Sequence, residues 1–251
     1  MKEQLEGRNA VVEALKANRT IMEIRLLASA KDRVITEIKN LAAKRRVPVY
    51  PMERRELDAM AQTRNHQGVI ALVNPYGYTS LDEVFERLDM TGQPILLVLD
   101  GIEDPHNLGA ILRSGEALGA SAAIIPKKRA VGVTPAVAKT ASGALEHLPV
   151  AQVANLTETV KRLKKKGFWI AGGVGDEHRR LMDQDLTGPL VLVIGNEAKG
   201  ISRLLKEECD YLVRIPLSGQ TESLNASVAA GILLYEAFRQ RSAKHETEAT
   251  S

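Results

Sequence analysis

Hydrophobic positions along the first seventy residues come in short blocks whose spacing switches between helix and strand. Behind Asn9, a good N-cap, Val11, Val12 and Leu15 share one helical face, and Asn18 can end that helix. A strand over Glu23–Ala28 follows, then helical spacing at Val34, Ile35, Ile38, Leu41 and Ala42. VPVYP and GVIALV read as strands on either side of a helix near Glu53–Ala61. From Ile95 the pattern becomes continuous apolar runs alternating with helices. ILLVLD precedes a helix over Leu108–Leu118, AAIIP one over Pro135–His147, and VAQV one over Leu156–Lys166. FWIAGGV, LVLVIG and YLVRIP are further strands, and Asn225 to about Arg241 is the last helix. Strands that are apolar throughout, rather than alternating, are buried on both faces, which predicts an α/β domain with a mostly parallel sheet covered by helices.

Between these regions NPYGYTS, residues 74–80, concentrates turn-forming residues without periodicity. The expected organisation is therefore a small α/β domain over 1–73, a linker over 74–90 that includes a helix near Leu81–Leu88, a larger domain over 91–243, and a disordered tail over 244–251.

Composition narrows the function without fixing it. A chain of 251 residues with 44% hydrophobic content can bury a proper core. No apolar run reaches the length of a membrane span, and the start, MKEQLEGRNA, lacks a secretory pattern, which predicts a cytoplasmic protein. The single cysteine, Cys209, excludes an internal disulfide, and the five histidines show no metal-ligand spacing, so no metal is expected. A net charge of +3 is compatible with nucleic acid and equally with much else. Basic clusters occur at Lys44–Arg46, Arg54-Arg55, Lys127–Arg129, Lys161–Lys166 and Arg179-Arg180, each readable as a solvated helix face or as a phosphate contact.

In an open α/β sheet, ligands bind beyond the carboxyl ends of the strands, and three such loops stand out. In DGIEDPHNLGAILRSGEALG, residues 100–119, Asn107 can cap a helix that carries Arg113 about two turns in, or the pair can be a plain cap and a surface arginine. In IGNEAKGIS, residues 194–202, Gly195 and Gly200 bracket Asn196 and Glu197 directly after a buried strand, as a ligand-approaching loop or a simple turn would. In IPLSGQTESLNASVAAG, residues 215–231, Ser223, Asn225 and Ser227 crowd one helix start, where capping needs a single side chain. Small residues from Ala226 to Gly231 allow this helix to pack closely on another backbone or subunit.

Other chemistries lack their signatures. AGGVGDEH, residues 171–178, does not fit GxGxxG, and no GxSxG or Walker lysine loop is present. Cys209 has no histidine partner in sequence and reads as a structural thiol.

In order and spacing, DPHNLGAILRSGEALGA, LVLVIGNEAKGIS and IPLSGQTESLNASVAAGILLYE resemble the three motifs of the SpoU family of RNA ribose 2′-O-methyltransferases, part of the SPOUT class. The likeness continues through KTASGALEHLPV and spans about Ile95 to Arg241. GRNAVVEALKA and HQGVIALV are similar to the ribosomal-protein-L30-like substrate-binding domain of many members, most of all the branch that modifies a guanosine of 23S ribosomal RNA. Ala198 departs from the pattern, since many relatives carry a second glycine there, and Gln220-Thr221 is a variable stretch.

The resemblance implies a deep trefoil knot in the C-terminal domain, a path that general topology rules disfavour. It implies S-adenosylmethionine against Gly172-Gly173, Gly195 to Gly200 and Ile215 to Leu224, with Gly172, Gly195, Asn196, Gly200, Ile215 and Leu224 as cofactor positions. Asn107, Arg113, Glu197, Ser223 and Asn225 would be catalytic. Because a guanidinium is ordinarily protonated, Arg113 is expected to anchor phosphate and developing alkoxide, with a general-base role as the alternative. Glu197 is expected to orient Arg113 or the target nucleotide. The resemblance also implies a homodimer through the knotted region and an RNA-binding N-terminal domain. The rival readings are a tRNA ribose methyltransferase of the same family and a non-catalytic RNA-binding assembly factor.

Overall fold

The structure is a computed structural model, which describes residues 3–16, 20–62, 66–74, 76–175, 180–221 and 223–249. The expected helix end at Asn18, the acidic end of AGGVGDEH and Glu222 lie outside the described residues.

The elements run β1 (Glu3–Glu6), α1 (Arg8–Lys16), β2 (Ile21–Leu27), α2 (Arg33–Lys44), β3 (Val49–Met52), α3 (Arg54–Met60) and β4 (Val69–Val73). After α4 (Leu81–Arg87) come β5 (Ile95–Asp100), α5 (Pro105–Ala117), β6 (Ala120–Pro126), α6 (Pro135–Ala141), β7 (Val150–Val153) and α7 (Leu156–Lys165). The chain then forms β8 (Trp169–Gly173), β9 (Leu190–Gly195), α8 (Arg203–Glu207), β10 (Tyr211–Val213) and α9 (Ala226–Ala249). Two compact units result: Met1–Gly77 with Val133–His147, and Tyr78–Gly132 with Leu148–Ser251.

In the first unit four strands pair in the order β1-β4-β2-β3, with only β2 and β3 parallel. Ile35, Ile38 and Ala42 of α2 are buried at helical spacing, and Asp32 starts that helix by accepting the Val34 and Ile35 N–H groups. A tight turn ahead of β4 places Gln67 and Gly68 at φ 55° and 79°. The Gln67 side-chain oxygen accepts Arg8 N at 3.2 Å, joining the turn to the start of α1. His66 is 4% exposed; its Nδ1 accepts Gly68 N at 3.1 Å, so Nε2 carries the hydrogen and donates to Asp58 at 2.7 Å.

Three local expectations change. Strand β1, EQLE, is polar and four residues long, and pairing with β4 rather than its own pattern makes it a strand. The helix expected over Pro135–His147 stops at Ala141, because Ser142 and Gly143 turn left-handed at φ 52° and 98° before a 3-10 turn over Ala144–Glu146. By its packing this segment belongs to the first unit: α6 contacts β1, and a Cβ on Gly143 would stand 2.6 Å from the Glu13 side chain. The tail expected to be disordered from 244 is helical as far as Ala249, since AKHETEA contains good helix formers and no Gly or Pro to stop α9.

The second unit carries a wholly parallel six-stranded sheet in the order β10-β8-β9-β5-β6-β7. All of Ile95–Leu99 and Leu190–Ile194 are buried, as their unbroken apolar runs require. Of the expected linker, Ser80 and Glu83 form a capping box for α4, and Val84 enters the core with Leu96, Val98 and Phe168. Chain order reverses beside β5: β6 and β7 extend one way, β9, β8 and β10 the other. Crevices at the carboxyl ends of strands open at such a switch.

Candidate active site

Helix α5 begins earlier than its apolar spacing suggests. Asp104, not Asn107, is the N-cap, accepting His106 N at 2.9 Å, and Pro105 fits the first helical position because its missing N–H needs no acceptor there. Asn107 is thereby released from capping. It lies inside the first turn, 7% exposed, with its amide aimed at a residue ninety positions away.

That residue is Glu197. Its Oε1 accepts Asn107 Nδ2 at 2.8 Å, Asn225 Nδ2, and the backbone N–H of Ala226 at 3.2 Å. Asn225 Nδ2 also donates to Asn107 Oδ1 at 3.0 Å, closing a three-residue ring. The carboxylate sits at the N-terminus of α9, where orphan N–H groups and the helix dipole favour negative charge. Among described residues Glu197 Oε2 makes no hydrogen bond.

The crowded helix start divides its tasks. Asn225 Oδ1 is the cap, accepting Ser227 N at 2.9 Å and the Ser227 hydroxyl at 2.6 Å. Ser223 instead lines a cavity of about 450 Å3. That cavity is walled by Gly173, Val174 and Gly175 after β8, Gly195 to Glu197 and Gly200 after β9, and Ile215, Leu217, Gln220, Thr221 and Leu224 in the segment after β10.

Backbone approach defines it. A Cβ on Gly195 would stand 2.2 Å from the carbonyl carbon of Gly200, so no other residue fits there without moving the loop. Asn196 holds the loop in shape: its Oδ1 accepts Ala198 N at 2.9 Å, and its Nδ2 donates to Gly101 O at 2.7 Å. Gly200 turns at φ 64°.

Of the sequence-derived positions, Gly195, Asn196, Glu197, Gly200, Ile215, Ser223 and Leu224 line this cavity, and Asn107 and Asn225 reach it through Glu197. Gly172 does not. On β8 it faces away, and an added Cβ would meet Cys209 Sγ at 2.9 Å, Ile201 and Leu212. Its neighbour Gly173 carries the cavity wall. Arg113 is exposed on α5 and bonded neither to Glu197 nor to any other described residue; of the two tasks expected of Glu197, orienting Arg113 or the target nucleotide, the first is not seen, and Glu197 bonds the two asparagines instead. Six residues on a helix advance about 9 Å and turn two-thirds of a circle beyond a full turn, so Arg113 cannot share Asn107's direction. Leu217, Gln220 and Thr221 fall within the Ile215–Leu224 stretch expected against the cofactor, but they lack periodicity and nothing in the sequence singled them out. Cys209 is partly buried against the core, and burial above all pushes its thiol up to about 12.

Residues 94–235 match the SpoU rRNA methylase family, and residues 4–79 match the RNA 2′-O ribose methyltransferase substrate-binding domain. The chain belongs to the SpoU family. It is therefore an RNA methyltransferase of the 2′-O-ribose class. The chain is 45% identical over 248 residues to the 23S rRNA (guanosine-2′-O-)-methyltransferase RlmB of Pseudomonas syringae pv. tomato, covering 97% of this chain and 98% of that protein. It is 43% identical over 236 residues to the putative TrmH family tRNA/rRNA methyltransferase YacO of Bacillus subtilis, covering 94% of each. Among solved structures, the SpoU methyltransferase AviRb of Streptomyces viridochromogenes in complex with AdoMet superposes with a TM-score of 0.81 at 26% identity, over 96% of this chain and 91% of that one. In this SpoU protein the three motif loops converge on the carboxyl ends of β8 and β9.

Proposed function

We propose that this enzyme transfers the methyl group of S-adenosylmethionine to the ribose 2′-hydroxyl of a guanosine in 23S ribosomal RNA. The observation that carries the reading is the glycine-walled cavity directly beside the Glu197–Asn107–Asn225 ring. Its apolar lining, Ile194, Val213, Ile215, Leu217 and Leu224, suits a nucleoside held by backbone groups, and the Gly195–Gly200 approach leaves room that any side chain would fill. The relatives of about 45% identity named for 23S rRNA guanosine favour that target.

The cofactor supplies a methyl already activated on sulfonium. What the protein adds is alignment and charge placement. Glu197, its Oε1 saturated by three donors, is held rigidly with Oε2 left for the target nucleotide. Ser223 shapes the cavity wall. Arg113 is assigned the phosphate and the developing alkoxide, a charge-stabilising task that needs no loss of its own proton.

The partner reading is a homodimer through α9. Its inner face buries Ala226, Ala230, Leu233, Leu234 and Ala237, while Val228, Ile232, Tyr235 and Phe238 leave a row 37–56% exposed, more apolar surface than one helix ordinarily presents to water. A knotted path around β8, β9 and the 215–224 segment belongs to the same reading, as does a cytoplasmic location with ribosomal RNA. Among the described residues no helix is long and apolar enough to cross a membrane, and no group of His, Cys, Asp or Glu is placed to hold a metal ion.

The test is methyl incorporation from labelled cofactor into 23S rRNA transcripts and, separately, bulk tRNA, followed by mass-spectrometric mapping of the modified ribose. A single 2′-O-methylguanosine in 23S rRNA is expected. Methylation confined to tRNA would move the enzyme to that branch, and cofactor binding without turnover on either RNA would leave an assembly factor.

A further inference from the structure

We propose that a second cleft, on the far side of the 196–200 loop, is a phosphate subsite that grips the RNA strand beside the methylated nucleotide. This rests on the reading that RNA is the substrate. The cleft, about 500 Å3, opens at the carboxyl ends of β5, β6, β7 and β9 within the second unit. Asn196 and Gly200 line both it and the cofactor cavity, so one short loop is the shared wall. A strand crossing that loop with its ribose on one side carries its next phosphates to the other.

Three cations line the cleft: Lys128, Arg129 and Lys199. None of the three side chains makes a hydrogen bond or ion pair with another described residue, although the carboxylates of Asp100 and Glu103 line the same space. Asp100 is engaged instead by Ser202 N at 2.7 Å. Several other cations of this unit are neutralised in place, as Arg162 is by Asp82, Lys164 by Asp210 and Arg180 by Asp183. The three cations outnumber the two carboxylates, which leaves the cleft an excess positive charge that a phosphodiester monoanion balances.

Backbone conformation supports a built site. The loop that carries Lys128 and Arg129 is tied at both ends, Lys127 N to Val153 O at 2.8 Å and Val131 N to Ile102 O at 2.9 Å. Between the ties Arg129 is held left-handed at φ 59°, a conformation that ordinary residues adopt only where the surrounding structure imposes it. Leu156 and Thr157, the first turn of the ten-residue α7, complete the wall; Asn155 caps Glu158 N, and leading helical N–H groups have no intrahelical acceptor. Loop and helix thus direct positive charge and donors at one space.

The test compares wild type with the triple variant Lys128→Gln, Arg129→Asn, Lys199→Gln. Asparagine tolerates the left-handed backbone, so the loop survives while its charge is removed. Binding of 23S rRNA transcripts is measured between 50 and 200 mM salt, with cofactor affinity by calorimetry and thermal midpoint alongside. The expected result is at least tenfold weaker RNA binding and a salt slope shallower by about 0.7–0.9 per lost phosphate contact, with cofactor affinity and midpoint unchanged. Arg129→Lys alone should keep most of the affinity. RNA affinity and slope equal to wild type would overturn the subsite. So would a site that takes guanosine monophosphate in a charge-dependent way while RNA binding is untouched. Wild-type protein that neither binds nor methylates any RNA would overturn the RNA reading itself, a different result.

Discussion

The Asn107 side chain donates to Glu197 Oε1 at 2.8 Å and accepts from Asn225 Nδ2 at 3.0 Å, so one buried amide joins the first, second and third motif loops. Replacing it by Ala removes a donor to a carboxylate and one of the two acceptors of the Asn225 amide, which keeps only Glu197. A stability loss of about 1–3 kcal/mol is expected, together with a fall in kcat that leaves cofactor affinity nearly intact. Thermal unfolding and calorimetry with S-adenosylmethionine separate the two effects. Unchanged kcat in Asn107→Ala would show that the ring only braces the fold.

Glu197→Gln keeps an oxygen to accept from both asparagines and from Ala226 N, and so should fold normally. Its loss of charge should nevertheless lower kcat by on the order of 10²-fold if the carboxylate acts on the nucleotide. Steady-state kinetics at saturating cofactor provide the measurement.

Gly195→Ala should abolish cofactor binding, because the new methyl would collide with the Gly200 backbone at 2.2 Å and displace the loop. Overpacking of this kind typically costs about 1–3 kcal/mol, visible as a lowered midpoint. Gly172→Ala strikes the Cys209 side instead and should destabilise the protein with less effect on the cofactor.

The Cys209 thiol, pushed up from its ordinary value of 9.0 to about 12, should resist iodoacetamide at pH 8 in the native protein and react once unfolded. Because the folded value lies above the unfolded one, its contribution to stability is fully present below about pH 9 and fades as pH rises towards 12. Urea midpoints of wild type and Cys209→Ala between pH 8 and 10.5 should converge with rising pH.

His66→Ala in the first unit leaves the N–H of Gly68 without its acceptor and Asp58 without its donor. A loss of about 1–3 kcal/mol is expected, read from thermal unfolding, with the cofactor site untouched.

How much of this was legible in sequence differs by element. Runs such as ILLVLD and LVLVIG announced buried parallel strands because burial on both faces leaves no polar position. The loops after them located the site. Sequence could not separate Gly172 from Gly173, since neighbouring strand residues face opposite sides and two glycines carry no pattern to say which. Asn107 looked like a cap because a polar residue before an apolar run usually is one; only the Asp104-Pro105 start frees it. The pairing of Glu197 with two asparagines, rather than with Arg113, depends on three chain segments meeting, which no local signal encodes. Gln220 and Thr221 are cavity residues on a stretch without regular structure, where periodicity has nothing to report.

The placement of Val133–His147 in the first unit has a consequence for how the molecule is made. That unit is interrupted in sequence by α4, β5, α5 and β6, so a ribosome releases its four strands well before α6 arrives to cover β1. Until His147 has emerged, β1 stays without the helix that contacts it, and the nascent amino-terminal half must wait for a piece encoded in the midst of its neighbour. For the same reason a single cut after residue 79 does not divide the protein at a natural seam. The amino-terminal fragment lacks its closing helix, and the remainder carries that helix with its apolar side uncovered.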